Sequence, residues 1–237
     1  MLIIIDKRLP VEAKQSLAKY GEVLKFASSG ITYEAISGHP DIFLCQTPAG
    51  LVVAPNTPAE YLAIFTSRKI PFTLGRRPIG NVYPETALYN AVATGKYLIH
   101  NLNITDTILA ALTTSLNTSN ITLSAINTNQ GYTRCNLISL DETHFITTDK
   151  GIEKALLAKD LDVHFISPAG VLLPGFDHGF FGGCCGVWDK TLFIAGTLDH
   201  FPQGGKVLEI VTGIGMKIIE LYDGPLFDGG GIFFLPC

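Results

Sequence analysis

One supersecondary pattern is written five times along this chain: short strand, short strand, helix, strand. Its anchor is an apolar run that ends just before a helix. The anchors are Ile3-Ile4-Ile5-Asp6, Val52-Val53-Ala54-Pro55-Asn56, Leu98-Ile99-His100-Asn101, Phe145-Ile146-Thr147-Thr148-Asp149 and Phe193-Ile194-Ala195-Gly196, spaced by roughly 46 to 50 residues. That period is one of repeated structural units, and it constrains the architecture more than any single motif does. Helices are expected over 10–20, 57–65, 105–115, 149–159 and 204–213, where apolar residues recur at helical spacing, as in Ile152, Leu156 and Leu157. Thr57-Pro58, Thr105-Asp106 and Thr148-Asp149 are start signals for three of them.

After each helix a strand is expected: 23–26, 70–74, 121–126, 163–166 and 217–221. Before each anchor a further strand is expected over 41–45, 87–92, 135–140 and 183–188. The first repeat lacks that leading strand, and the segment Gly231-Ile232-Phe233-Phe234-Leu235 is a strand with no anchor after it. The simplest arrangement lets the last strand complete the first repeat. The expected fold is therefore α/β, a five-bladed pseudo-symmetric propeller of strand-strand-helix-strand units closed between the chain's two ends. Closure of this kind leaves few open sheet edges. The repeats run approximately over 1–27 with 227–237, 40–75, 84–127, 134–168 and 178–222, in a single domain of 237 residues.

With 47% hydrophobic residues the chain can build a large core. The net charge is only −4, and the densest basic spot is Arg76-Arg77, so no surface for nucleic acid is expected. No apolar run is long enough for a bilayer span and no signal peptide opens the chain, which suits a cytoplasmic protein with reduced cysteines. The sequence carries no Cys-x-x-Cys, His-Glu-x-x-His, P-loop or Gly-x-Gly-x-x-Gly motif, so neither a metal nor another cofactor is expected. The expected partner is a small molecule in the central channel, and assembly into a homo-oligomer is compatible with the sequence.

A ring of repeats places equivalent positions around one axis. The segments that open the leading strands are polar and glycine-rich: His39-Pro40-Asp41, Glu85 with Tyr89-Asn90, Arg134-Cys135-Asn136, Phe176-Asp177-His178-Gly179 and Phe227-Asp228-Gly229-Gly230. The last two share the pattern Phe-Asp-x-Gly. Gathered at one mouth, Asp41, Glu85, Asp177 and Asp228 would attract a cation, and a guanidinium fork suits paired carboxylates. With Asn136 these acids are the candidate binding residues; the other reading of each acid is a turn residue or cap, and for Asp228 taken alone that reading is the favoured one. His178, beside Asp177, is the candidate acid or base, and His39 is a weaker one. Cys184-Cys185 lies between glycines and offers a thiol nucleophile, although buried cysteine ordinarily serves as a small hydrophobe. Cys237 follows the closing strand. Cys45 and Cys135 read as core.

The five closed units resemble the pentein fold, that of guanidino-group-modifying enzymes such as arginine deiminase, dimethylarginine dimethylaminohydrolase, agmatine deiminase and the amidinotransferases. Leu172-Leu173-Pro174-Gly175-Phe176-Asp177-His178-Gly179-Phe180-Phe181-Gly182-Gly183 and Asp228-Gly229-Gly230-Gly231 resemble a bacterial branch of that fold whose chemistry is unassigned. The resemblance implies a channel site where cysteine attacks a guanidinium carbon, histidine moves protons and acids hold the nitrogens. His178 and Asp177 match the histidine and an acidic partner, while Asp41 and Glu85 match as anchors only loosely. Catalytic members carry Gly-Gly-Gly-Ile-His-Cys near the C-terminus. Here Gly229-Gly230-Gly231-Ile232 is followed by Phe233-Phe234, and Cys237 comes three residues late. Either Cys237 or the Cys184-Cys185 pair takes the role, or the chemistry is absent, since the fold also has non-catalytic members; the alternative for this chain is then a non-catalytic binder of a metabolite or a protein partner.

Overall fold

A computed structural model describes residues 1–114 and 121–236. The first unit runs β1 (Leu2–Asp6), α1 (Val11–Leu17) and β2 (Glu22–Phe26). A helical turn, α2 (Pro40–Phe43), leads into β3 (Leu44–Thr47), β4 (Gly50–Val53), α3 (Ala59–Ser67) and β5 (Phe72–Leu74). The third unit is β6 (Val92–Ala93), β7 (Tyr97–His100), α4 (Thr107–Ala111) and β8 (Ser124–Asn127). The fourth is α5 (Thr133–Asn136), β9 (Leu137–Ser139), β10 (His144–Thr147), α6 (Lys150–Leu157) and β11 (Asp162–Phe165). The fifth is β12 (Cys185–Trp188), β13 (Thr191–Ile194), α7 (Gly204–Gly213) and β14 (Lys217–Glu220), and β15 (Phe233–Leu235) ends the described chain.

These strands form five separate three-stranded sheets, each with its anchor in the middle. The anchor pairs antiparallel with the strand before it and parallel with the strand after the helix. The exception in sequence order is the expected one: β15 pairs antiparallel with β1, with Leu2 opposite Leu235, Ile3 opposite Phe234 and Ile4 opposite Phe233. The fold is thus an α/β propeller of five units, closed by the last strand on the first repeat.

The apolar anchors are continuous because both their faces are covered. Successive side chains of a strand point to opposite faces. Leu2 and Ile4 join one core with Phe26, Phe43 and Leu44, while Ile3 and Ile5 join another with Phe193, Leu221 and Phe234. All five residues of β1 are buried. The cores therefore lie between neighbouring units, and the ring is held by packing around its circumference. No described helix is long and apolar enough to cross a membrane.

One expectation needs correction. The leading strands were expected to begin at Asp41, Ala87, Cys135 and Gly183. Residues 40–43, 85–87, 133–136 and 181–184 are instead short helical turns. The cause is the length of the anchor. β4 stops at Val53, and the last rung is Ala54 N–H donating to the Phe43 carbonyl at 2.8 Å. The same rung recurs from Thr148 to Asn136 at 2.9 Å and from Ala195 to Cys184 at 2.8 Å. Residues ahead of that rung have no strand to pair with, so their backbone groups are satisfied by turning into a helix. Pro40, with its φ already set, sits at the first helical position of α2.

His100, at the end of β7, is a structural residue. It is fully buried, with Nε2 donating to the Gly131 carbonyl at 2.8 Å and Nδ1 against Thr105 Oγ1 at 2.8 Å. Burial pushes its pKa down to about 4 from the ordinary 6.5. Between those values the unfolded chain takes up a proton that the folded chain refuses. Stability is then full above about pH 6.5 and falls as the pH drops toward 4, with about 2–3 kcal/mol lost from this group by pH 4.5. Urea midpoints of the wild type and His100→Gln at pH 7 and 4.5 check this: the wild type should lose more on acidification than the variant.

Candidate functional site

The turns ahead of the leading strands face the axis, and their polar groups bond from unit to unit. Asn90 Nδ2 donates to the Asp41 carbonyl at 3.2 Å, and Asn90 Oδ1 accepts from Cys135 N–H at 3.1 Å. Arg134 donates to the carbonyls of Gly182 at 2.7 Å and Cys185 at 2.9 Å. Its guanidinium lies under the Phe233 ring, 5.7 Å from the centroid. Gly229 and Gly231 N–H both donate to the Gly183 carbonyl, at 3.1 and 2.7 Å.

On one side of this ring lies a cavity of about 300 Å³. Its walls are Tyr33, Ile36, Tyr132, Leu173, Phe176 and Phe180, and its polar groups are His39, Cys135, Asp177, His178 and Asp228. Among the described residues neither Lys nor Arg lines it. The Tyr132 hydroxyl bonds to Thr86 Oγ1 at 2.5 Å, and burial pushes both Tyr132 and Tyr33 up, so the wall phenols are neutral.

His39 is the residue around which the acids gather. It is 1% exposed and lies between two carboxylates, with Nε2 3.9 Å from Asp6 Oδ2 and Nδ1 3.9 Å from Asp228 Oδ1. Those separations are too long for hydrogen bonds, and neither ring nitrogen has a partner. Asp6 is held by Arg8, whose Nη2 donates at 2.6 Å. Asp228 Oδ2 accepts from Phe180 N–H at 2.9 Å and Oδ1 from Gly230 N–H at 3.0 Å. Gly183 and Gly179 make room for this carboxylate: a Cβ at Gly183 would lie 1.9 Å from Asp228 Oδ1.

Cys135 meets the same group. Its Sγ donates to Asp41 Oδ2 at 2.9 Å and accepts from Asn90 Nδ2 at 3.3 Å. Burial, with the Asp41 and Asp228 carboxylates next in effect, pushes the thiol well above its ordinary range. Asp41 is fully buried, and desolvation raises its carboxyl to about 6 against the opposing pull of His39, the Cys135 hydrogen bond and Arg134. Asp41 Oδ1 has no partner.

The structure brings some of the sequence candidates together and disperses others. Asp228, Asp177 and His178 line the cavity, and Asp41 lies directly behind Cys135. His178 is half-buried, its Nδ1 2.9 Å from the Gly179 carbonyl, and Asp177 is exposed at the rim. Cys184 and Cys185 are fully buried in a core with Phe181 and Leu198, outside the cavity lining. Burial raises both thiols. Glu85 is exposed and does not line the cavity. Asn136 faces α5 and β10, donating to the Tyr132 carbonyl at 2.9 Å and accepting from Thr148 Oγ1 at 2.8 Å. Cys237 lies outside the described residues. Cys135, read from the sequence as core, opens onto the cavity instead, because its position is a helical turn and not a strand. Asp6 was read only as the end of an anchor. The dipeptide spacing His39-x-Asp41 was the available signal for the centre of the site.

Sequence and structure comparisons place this geometry in context. The chain belongs to a family of unknown function, DUF6873. The family's model matches residues 4–233. No curated protein matches the sequence. Among solved structures, an amidinotransferase of the saxitoxin biosynthetic pathway from Microseira wollei is similar over 92% of this chain and 87% of its own, at 10% identity and a TM-score of 0.58. Dimethylarginine dimethylaminohydrolase from Pseudomonas aeruginosa, complexed with citrulline, covers 92% and 91% at 9% identity and 0.53. Agmatine deiminase from C. jejuni covers 93% and 86% at 9% identity and 0.53. The DUF6873 chain therefore has the pentein fold.

Substitutions at two glycines separate the site from the scaffold. Gly183→Ala should push Asp228 off its two backbone donors and cost roughly 1–3 kcal/mol. Gly205, on the exposed face of α7, has open space at its Cβ, so Gly205→Ala should be neutral or stabilise by about 0.5–1 kcal/mol. Chemical denaturation of both variants checks the contrast; equal effects would show that Asp228 is not tightly seated.

Proposed function

We propose that this DUF6873 chain is an enzyme of the guanidino-group-modifying kind, taking a cationic guanidine-type small molecule into the axial cavity. The observation that carries the reading is the Cys135 thiol bonded to a buried carboxyl, in a cavity it shares with His39, His178, Asp177 and Asp228 and among whose lining residues there is neither Lys nor Arg. Asp228 at the floor and Asp177 at the rim suit the planar, multiply donating guanidinium. The aromatic walls suit a flat cation as well.

The chemistry follows from charge. A unit cation about 4 Å from a carboxylate gains about 4 kcal/mol in a partly screened site. The same cation lowers the cost of forming a thiolate next to it, which the empty site opposes. With the ligand in place, Cys135 passes its proton to Asp41 and its sulfur adds to the guanidinium carbon, forming a C–S bond. Collapse of that adduct breaks a C–N bond, and the leaving amine takes a proton from an imidazole, His39 or His178. Water, or an acceptor amine, then displaces the sulfur: one of its protons goes back to the imidazole and the Asp41 proton returns to the sulfur, with water's second proton leaving on the released amine.

The test is alkylation with 2-chloroacetamidine in chelator-treated buffer, followed by peptide mass spectrometry. Cys135 should be labelled and protected by excess guanidine ligand, and Cys135→Ser should remove the label. Failure of Cys135 to react at saturating reagent sinks the thiol mechanism. A second reading, a non-catalytic small-molecule binder, is favoured by Phe233 and Phe234. They stand where catalytic relatives of this fold carry their thiol, and both are buried. Thermal stabilisation by guanidines without turnover would support it.

A further inference from the structure

The unpartnered atoms at the axis describe a second kind of ligand. A ring nitrogen of His39, a carboxyl oxygen of Asp41 and the Cys135 sulfur all lie within 4.8 Å of one another. All three side chains are at least nine-tenths buried, at 1%, 0% and 4% exposure. Both His39 nitrogens and Asp41 Oδ1 lack any hydrogen-bond partner. Leaving such groups buried and unpaired costs about 1–3 kcal/mol each, so their convergence asks for an occupant.

We propose that His39, Asp41 and Cys135 form a binding site for one divalent transition-metal ion of the Zn²⁺ class. The donor set decides the class. Imidazole with thiolate selects zinc-like ions, whereas Mg²⁺ and Ca²⁺ prefer all-oxygen shells. Ligand atoms about 2.0–2.3 Å from a tetrahedral ion stand about 3.3–3.8 Å apart, a spacing that donors already within 4.8 Å of one another reach by small side-chain adjustments. Whichever His39 nitrogen takes the ion, the other has a carboxylate 3.9 Å away, Asp6 or Asp228, to hold the ring. Binding exchanges the thiol proton for the ion: the S–H bond breaks, a metal–sulfur bond forms and the proton leaves to buffer. The ion then carries two anionic ligands and a neutral imidazole, and its fourth position faces the cavity that Cys135 and His39 line.

An ion so held takes the sulfur lone pair that an electrophile would need. This second step rests on the proposed guanidine chemistry, while the metal site itself does not. Occupied and reactive forms of Cys135 exclude one another, so the ion regulates the thiol.

The test uses the full chain freed of metal by chelation and titrated with Co²⁺, then with Zn²⁺. One equivalent of Co²⁺ should bind with a near-ultraviolet sulfur-to-cobalt charge-transfer band, and Zn²⁺ should displace it where Mg²⁺ does not. Cys135→Ser should lose the band, and His39→Gln should weaken affinity at least about tenfold. X-ray absorption of the Zn²⁺-loaded wild type, which needs no variant, should show one sulfur among nitrogen and oxygen ligands. No cobalt band, a band that survives Cys135→Ser, or a sulfur-free shell overturns the site. In the alkylation experiment Zn²⁺ should protect Cys135. Labelling that ignores Zn²⁺ overturns the regulation and leaves the guanidine reading standing. A chain that binds Zn²⁺ but is never labelled when metal-free overturns the thiol chemistry and leaves the metal site.

Discussion

The Gly183 carbonyl accepts from both Gly229 and Gly231, and the Asp228 carboxylate just ahead of them accepts from Phe180 and Gly230. These bonds join the fifth unit to the closing segment at the axis, and the rest of the site depends on them. They fix Asp228 beside His39. They also set Gly230 where any larger residue would meet the His39 Cβ at 2.4 Å and Asp41 Oδ1 at 2.7 Å. Only glycine tolerates that approach, and only glycine adopts the positive φ of Gly230 and Gly231 without strain. The closing segment thus does more than seal the ring: its entry supplies Asp228 to the cavity lining.

The ring and the floor are coupled by anchor length. Each anchor strand is short, so the residue ahead of its last rung must turn. The turn is what directs Asp41 and Cys135 inward from stretches expected to be strands. Had β4 or β10 run one turn further, residues 41 and 135 would be ladder positions with their side chains between units. Packing around the circumference and polar chemistry at the axis therefore draw on different parts of the same repeat.

This division explains what the sequence reveals. The anchors Ile3-Ile4-Ile5 and Phe145-Ile146 are legible because both faces of a middle strand are buried, and an unbroken apolar run is the consequence. The closure of β15 on β1 is legible for the same reason. The site is legible only in part. Asp228, Asp177 and His178 are marked by a repeated Phe-Asp-x-Gly. Cys135 is not, since whether a thiol faces a core or a cavity depends on where its neighbour's ladder ends, which is a tertiary fact. The trio at residues 39, 41 and 135 offers only the short spacing His39-x-Asp41 to read, because Cys135 comes from another unit.

His39 is the most costly residue of the cavity floor, buried with both ring nitrogens unpaired among the described residues. Two ring nitrogens with no partner, at 1% exposure, are an expense that a hydrophobic side chain of similar size would remove. Asp41 adds a carboxyl whose ionised form burial disfavours, with one oxygen unpaired. The scaffold does not need either group: the cores between units are apolar, and Arg134 already braces the turns through backbone carbonyls. Elsewhere the same ring shows how a structural histidine is handled, with both nitrogens of His100 seated against oxygens at 2.8 Å. The contrast between His100, with both nitrogens seated, and His39, equally buried and unsatisfied, is what supports placing the proposed chemistry at the axis between Asp6, Asp41, Cys135 and Asp228.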